Sequence, residues 1–454
     1  MIRLATLELK NFLAGRGVAA ALALICAAGM VAIEHGRRTI AGQEAILAAS
    51  PQTESAHLDK LLRLHSASLA TSPGEILYYR NFFTRREPSQ YAPVALGLRD
   101  VTPFNLKVRI LALEGQLYDS EIANPEAQAL GNFDLAFLLG FLYPLLIVSF
   151  LHNVLSTELE SGTWNLLSSL PFSRARLLGF KAALRFVPVL GVWLATVAFA
   201  VLRFDLPLDR RLAYWLALSL AYLVFWFALS LLVAALGRSS TYNALALLST
   251  WLGFAVLIPV SINLAVAGAF PASSAFEVAI RQREGYHNRW DRPRIETIRA
   301  FYSLYPQHAA FAALEDRFSW AWYYAMQHMG DVEASAASTE WRRALEAREI
   351  WSRRLSILAP PALIQSELSR LAATGLGAHL AYLDSVRTYH ERLRRHFYPF
   401  LFREEPAPPV SWSGVPAHRF TDESLPRVPI EDLSWIVIPS LAMCVGAATA
   451  LRRL

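Results

Sequence analysis

The sequence predicts a mainly α-helical integral membrane protein with six transmembrane helices, and three observations lead there. Of its 454 residues, 54 % are hydrophobic and 18 % charged, too apolar a balance for a soluble chain. Six apolar runs reach the length of about 17 to 25 residues that a helical crossing needs. Two long polar stretches, 34–133 and 271–431, divide the runs and cannot lie in lipid, so they read as two extracytoplasmic domains.

Residues 1–33 hold an N-terminal elbow helix and the first span. Ile2, Ala5, Leu9 and Phe12 share one helical face and Arg3, Thr6 and Lys10 another, the pattern of a helix lying in the headgroup region. A signal peptide is the alternative, but the stretch up to Arg16 contains Glu8 and no small-residue cleavage site follows Ile33. Gly17 to Ile33 is the span. In the first polar stretch, Ala41 to Ala70 predicts helix broken at Pro51, whereas Val101 to Tyr118 alternates like strand, so this domain is expected to be mixed α/β. Spans two to five fall within 134–270, as Leu135 to Val154, Ala182 to Val201, Leu212 to Leu236 and Ala244 to Phe270. The fifth exceeds what a crossing needs. Pro259 and Asn263 in its second half predict either a kink or a tilted helix that tolerates the proline. In the second polar stretch, Glu340 to Leu358 and Ile364 to Tyr398 are long runs poor in breakers, so this domain is expected to be mostly helical, with a proline-rich return from Pro406 to Pro429. Residues 432–454 hold the sixth span, Trp435 to Leu451, and a short terminus.

An even number of spans puts both termini on one side. With them go Arg3, Lys10, Arg16, Arg174, Arg176, Lys181, Arg238, Arg452 and Arg453, nine basic residues near span ends, against six on the other side: Arg37, Arg38, Arg203, Arg210, Arg211 and Arg427. The positive-inside rule therefore makes the termini cytoplasmic. The net charge of +6 fits this bias better than nucleic acid, since no basic face interleaved with aromatics occurs. Cys26 and Cys444 both fall in spans and read as small apolar fillers.

Between the second and third spans runs the one polar, motif-like segment enclosed by apolar runs, Asn153 to Lys181. Gly162 reads as a helix stop, with Ser161 or Thr163 as the cap of a short helix that follows. Trp164, Leu167 and Leu170 give that helix one apolar face until Pro171 ends it, and Ser173 offers a cap for a helix from Arg174. The order Glu160-Ser161-Gly162-Thr163, Leu166-Leu167-Ser168, Pro171, Ser173-Arg174, Leu177-Leu178 and Lys181 resembles the cytoplasmic loop of type-2 ABC exporter permeases. The resemblance implies that 155–173 is a coupling helix docking into an ATPase subunit. It carries over as coupling residues Glu158, Glu160, Gly162, Thr163, Trp164, Leu167, Leu170, Pro171, Arg174 and Lys181, with Trp164, Leu167 and Leu170 entering the ATPase cleft. Glu160 is expected to meet a basic group of that partner or to cap the next helix.

Two further stretches resemble a subgroup of these permeases with large extracytoplasmic domains of unknown function. One is Tyr78 to Pro103, with Pro88, Ala92-Pro93 and Gly97-Leu98-Arg99-Asp100. The other runs from Leu358-Ala359-Pro360-Pro361 through Ala372-Ala373-Thr374-Gly375, His379-Leu380, Val386 and Tyr389-His390 to Tyr398-Pro399-Phe400-Leu401-Phe402. The family implies a permease in the inner (plasma) membrane of a bacterium, working with a cytoplasmic ABC ATPase and a second permease, either another copy or a relative. It also implies a fifth helix broken near its outer end.

The chain's own chemistry points the same way. Its four lysines, Lys10, Lys60, Lys107 and Lys181, never follow G-x-x-x-x-G, so no phosphate loop of that kind is present, and ATP and Mg belong to the partner. His390-Glu391 with His396 approaches a metalloprotease motif, but the second histidine stands six residues on, off the face that H-E-x-x-H uses; surface or interface histidines are expected, and no metal. Ionisable groups of the spans, Asp134, His152, Arg185 and Arg203, all lie near span ends, which leaves nothing for a proton relay. No catalytic constellation emerges, so the chain reads as a transport subunit and not an enzyme. The rival reading is a membrane-tethered sensor or assembly factor with an extracytoplasmic ligand-binding domain.

Overall fold

The computed structural model describes residues 8–10, 12–66, 72–118, 132–169, 173–272, 275–311, 318–403, 405–408, 411–412, 414–421 and 430–452. The principal elements are α1 (Arg16–Leu64), α2 (Gly74–Tyr79), β1 (Phe82–Phe83), β2 (Arg86–Glu87), β3 (Lys107–Val108), α3 (Leu113–Tyr118) and α4 (135–151). Then follow α5 (Ser156–Glu160), α6 (Trp164–Ser168), α7 (Arg174–Phe204), α8 (Arg210–Ala234), α9 (Ser240–Ala269), α10 (Ala275–Trp290), α11 (Arg294–Leu304), α12 (Trp320–Leu355), α13 (Pro360–Leu371), α14 (Leu376–Arg403), β4 (Phe420–Thr421) and α15 (Ile430–Leu451). The chain is mainly helical, and among the described residues six helices are long and apolar enough to cross a membrane: α1, α4 continuing to Glu160, α7, α8, α9 and α15.

Helix α1 overruns its expected end. Its 49 residues span about 73 Å at 1.5 Å per residue, more than twice a hydrocarbon core. The helix runs on past Ile33, the expected end of the span, and the break expected at Pro51 does not occur. Ile33, Gly36, Ile40, Gln43, Leu47 and Ser50 are buried at steps of three and four, one face that rests on the segment 91–99. At Gly36 the helix lies directly on the Pro93 carbonyl, where a Cβ would stand 2.2 Å from the oxygen. Pro51 removes one backbone donor, and the Leu47 carbonyl left without it accepts from the Ser50 hydroxyl at 2.8 Å. The proline is thereby accommodated.

Two spans carry π turns, at Leu138–Leu142 in α4 and Gly253–Leu257 in α9, and each is followed two residues later by a proline, Pro144 and Pro259. The wider turn relieves the clash that a proline ring makes with the preceding turn, so α9 stays helical from Ser240 through Asn263 to Ala269. Freed carbonyls find partners: the Tyr222 hydroxyl donates to Gly140 O at 2.6 Å, and Trp251 Nε1 to Phe141 O at 3.2 Å. Helix α8 is the centre of the bundle, with Trp215, Tyr222 and Trp226 fully buried, and Trp193 of α7 wedged edge-on between Tyr143 and Trp215 at 5.1 and 6.1 Å.

The two polar stretches expected as separate domains share one hydrophobic core. Leu61, Ile76, Leu77, Phe82, Val108 and Leu117 from the first pack with Phe301, Trp322, Tyr382, Phe397 and Trp412 from the second. Strand pairing ties them again: β1 runs antiparallel to β3, and β2 parallel to β4. Within 101–118 the expected strand is reduced to β3, and 113–118 is helix. The cause is distant in sequence: both oxygens of Asp331, on α12, accept the first amides of α3, Leu113 N at 2.7 Å and Glu114 N at 3.0 Å. Arg394 closes the site on Asp331.

A seam joins this polar domain to the spans, and both stretches that carry the subgroup resemblance meet there. Leu98 N donates to Thr374 O at 2.9 Å, Thr374 Oγ1 to Ala95 O at 2.7 Å and Arg86 Nη2 to Ala373 O at 3.1 Å. Buried Arg99 donates to Gln43 Oε1 on α1 and to Arg86 O, both at 2.6 Å. Asp134 caps α4 at Phe137 N and holds Leu96 N at 2.8 Å, so the second span starts at the seam. Helix α13 continues the contact into the bundle, where Leu363, Ile364 and Leu368 join the membrane core and the helix packs on both π turns.

Candidate functional site

The stretch between α4 and α7 lies at the opposite end of the spans from the seam. Helix α5 stops at Gly162, whose φ of +73° is the left-handed position that glycine takes without Cβ strain. Helix α6 follows, one short turn, and α7 begins after Ser173, whose hydroxyl accepts from Arg176 N at 3.2 Å as expected. The expected cap of α6 is not made. Thr163 Oγ1 turns back to the Glu158 carboxylate and pairs with Ser161 Oγ at 2.9 Å, because a charged acceptor outcompetes a backbone amide.

A polar brace holds this stretch to three other parts of the chain. Glu158 pairs with Lys181 of α7, which also approaches Glu8 at 3.6 Å. Arg185 stands 3.9 Å from Glu8, donates to Asn153 Oδ1 at 2.6 Å and lies over the Phe12 ring at 5.4 Å. Residues 8–10 and 12–13 are helical, so the described part of the expected elbow helix is fastened here. Glu160 reaches 80 positions along the chain: Ser240 N donates to its Oε1 at 2.7 Å and Ser240 Oγ to its Oε2 at 3.0 Å. Glu160 therefore caps the N-terminus of α9, not that of α6. Ser156 Oγ meets Ser240 Oγ at 2.7 Å, and Asn243 Nδ2 donates to His152 O at 3.0 Å.

The apolar face points the other way from the expectation. Trp164 is 7 % exposed and joins the membrane core with Val154, Leu155 and Leu178, and Leu167 is half-buried against it. An indole next to an apolar slot in its own chain fills it. A cavity of about 290 Å³ remains under the helix, between Trp164, Leu167, Leu177 and Phe180. The large apolar side chain that α6 exposes is Leu166, at 73 %, beside exposed Asn165. Arg174 is half-buried at the start of α7, and Leu170 and Pro171 lie outside the described residues. The missed participants are Glu8, Asn153, Ser156, Arg185, Ser240 and Asn243. Arg185 alone carried a signal, a charge placed inside a span end.

Among the described residues no three His, Cys, Asp or Glu side chains gather as metal ligands. His390 is buried and not on the surface, its Nε2 against Arg109 O at 2.8 Å, while His396 Nε2 meets Ser411 O and His328 Nδ1 meets the Tyr398 hydroxyl. Burial pushes His328 down to about 2 and His390 well below its ordinary value, with the nearby Arg394 guanidinium adding to both. Free histidine titrates near 6.5, so the unfolded chain takes up protons that the folded domain refuses. Stability is thus fully present above about pH 6.5 and is lost as pH falls below it, by about 1.4 kcal/mol per unit for each group. Thermal unfolding of the full chain in detergent should move several degrees lower between pH 7.5 and pH 5; a flat profile would contradict these neutral, buried imidazoles.

Fold and site together define a multi-pass helical membrane protein with one large polar domain. A family model, domain of unknown function (DUF3526), matches residues 275–421, which run from α10 through β4. No curated protein and no solved structure matches the chain.

Proposed function

We propose that this chain is the permease subunit of an ATP-driven ABC exporter of the type-2 class, which moves its substrate across the plasma membrane with ATP hydrolysed by a separate cytoplasmic subunit. The observation that supports the reading most directly is the brace at α5 and α6. A short helix with one exposed leucine is tied through Glu158 and Glu160 to α7, α9 and the elbow, so a push on α6 is delivered to several spans at once. Those links suit the transmission of a stroke better than a passive loop. Helix α9 supports a second permease, since only 6 % of its apolar window is fully buried within the chain and much of its surface is left for lipid or for a partner. In this reading the braced end and both termini are cytoplasmic, and the polar domain is extracytoplasmic.

Two measurements test it together. In a chain with Cys26 and Cys444 replaced, a cysteine at Ser335 should react with an impermeant reagent on intact cells, and one at Ser169 only after lysis. Both positions are exposed. An ATPase with a phosphate loop should be encoded beside this chain and should co-purify with it. Labelling of Ser169 from outside would invert the orientation, and a chain that recruits no ATPase would favour the sensor.

A further inference from the structure

Independently of that reading, we propose that the cavity between the far end of α9 and helices α12 to α14 binds an anionic amphiphile, with Arg348 and Arg353 on its head group and Pro259 and Ile262 along its chain.

The cavity encloses about 860 Å³, within the range of sites that take small molecules. Its depth in the bilayer follows from α9. Pro259, Ile262 and Asn263 lie about 29 to 35 Å along the axis from Ser240, where a hydrocarbon core of about 30 Å gives way to headgroups. One wall is therefore a lipid-depth surface. Ala362 of α13 continues it, and Leu264 beside it on α9 is 68 % exposed, so an alkyl chain can pass from the cavity into the acyl layer without entering water.

The rest of the lining is of opposite character. It includes Arg348 and Arg353 from α12, Arg370 from α13 and the hydroxyls of Ser366 and Ser369. Buried Glu367 takes Arg370, and Glu349, the one acid in the lining, accepts Gly377 N at 3.0 Å. Arg348 is held in place by donating its Nε to Phe270 O at 2.8 Å at the end of α9. The balance is positive, and guanidiniums at a bilayer edge match phosphate or carboxylate oxygens in geometry as well as charge. An apolar floor under a cationic roof at headgroup depth selects a molecule with both parts: inorganic phosphate lacks the chain, and a neutral alcohol lacks the anion.

The full chain in phosphatidylcholine nanodiscs would be titrated with dodecyl phosphate, dodecanol and inorganic phosphate, with stoichiometry read by native mass spectrometry. Dodecyl phosphate should bind once per chain and saturably, and the other two at least roughly tenfold more weakly. Arg348→Gln with Arg353→Gln should weaken binding roughly tenfold or more, as should Ser366→Trp, which fills the cavity from α13 and decides alone if the arginine pair fails to fold. Phosphatidylglycerol built into the nanodisc should compete if the bilayer supplies the ligand; saturable binding without competition assigns the site to a free single-chain amphiphile. Binding unchanged in both variants, or inorganic phosphate or dodecanol binding as tightly as dodecyl phosphate, would overturn the proposal.

Discussion

Gly97→Ala should destabilise the full chain by about 2 to 4 kcal/mol, whereas Gly42→Ala should leave it unchanged or more stable by up to about 1 kcal/mol. The two glycines differ in what a methyl would meet. Gly97 has φ +53° at the seam, and its Cβ would stand 2.6 Å from Thr374 Oγ1 and 2.8 Å from Thr374 O. A left-handed backbone costs a non-glycine residue about 1 to 2 kcal/mol, and the contact adds to it, because Thr374 cannot retreat. Its carbonyl holds Leu98 N and its hydroxyl holds Ala95 O. Gly42 sits mid-helix in α1 with nothing within 4 Å, so the same change there only improves helix propensity. Thermal unfolding in detergent measures both, and limited proteolysis should show the polar domain loosening from the spans in Gly97→Ala alone. Equal behaviour of the two variants would mean that the seam does not carry the join.

The difference between local and distant information explains which features could be read from the chain. Crossing helices are declared by the run of apolar side chains itself, so all six candidate spans stand where that pattern puts them. The stop at Gly162 and the cap at Ser173 are equally local. What escaped depends on partners far away in sequence. Pro51 reads as a breaker until Ser50 is seen to serve Leu47 O, and 113–118 reads as strand until Asp331 is seen to cap it. The two polar stretches look separate because a span-containing segment divides them, yet Arg86 and Leu98 of one bond to Ala373 and Thr374 of the other. Periodicity placed Trp164 and Leu167 on one face, which is correct, but it carries no information on whether that face turns toward the chain's own core or toward another protein.

That last distinction sets the sharpest test of the proposed transport role. Leu166→Asp should leave membrane insertion and thermal unfolding unchanged, since the side chain is mostly in water, and should reduce co-purification of the ATPase and transport-linked ATP turnover roughly tenfold or more. Trp164→Asp should do the reverse in order of cause: a carboxylate placed among Val154, Leu155 and Leu178 has no partner, costs several kcal/mol, and lowers the unfolding temperature before any question of docking arises. Glu160→Ala should fall between them, removing the cap on Ser240 for about 0.5 to 2 kcal/mol and loosening α9 from the short helix while leaving Leu166 in place. ATPase bound normally but turning over without transport is its expected signature. If Trp164→Asp kept its fold and lost the ATPase while Leu166→Asp kept both, α6 would present the Trp164 face to its partner. If all three variants recruited and drove the ATPase like the parent chain, α6 would be an ordinary connection between spans, and the ABC permease reading would lose the observation that supports it most directly.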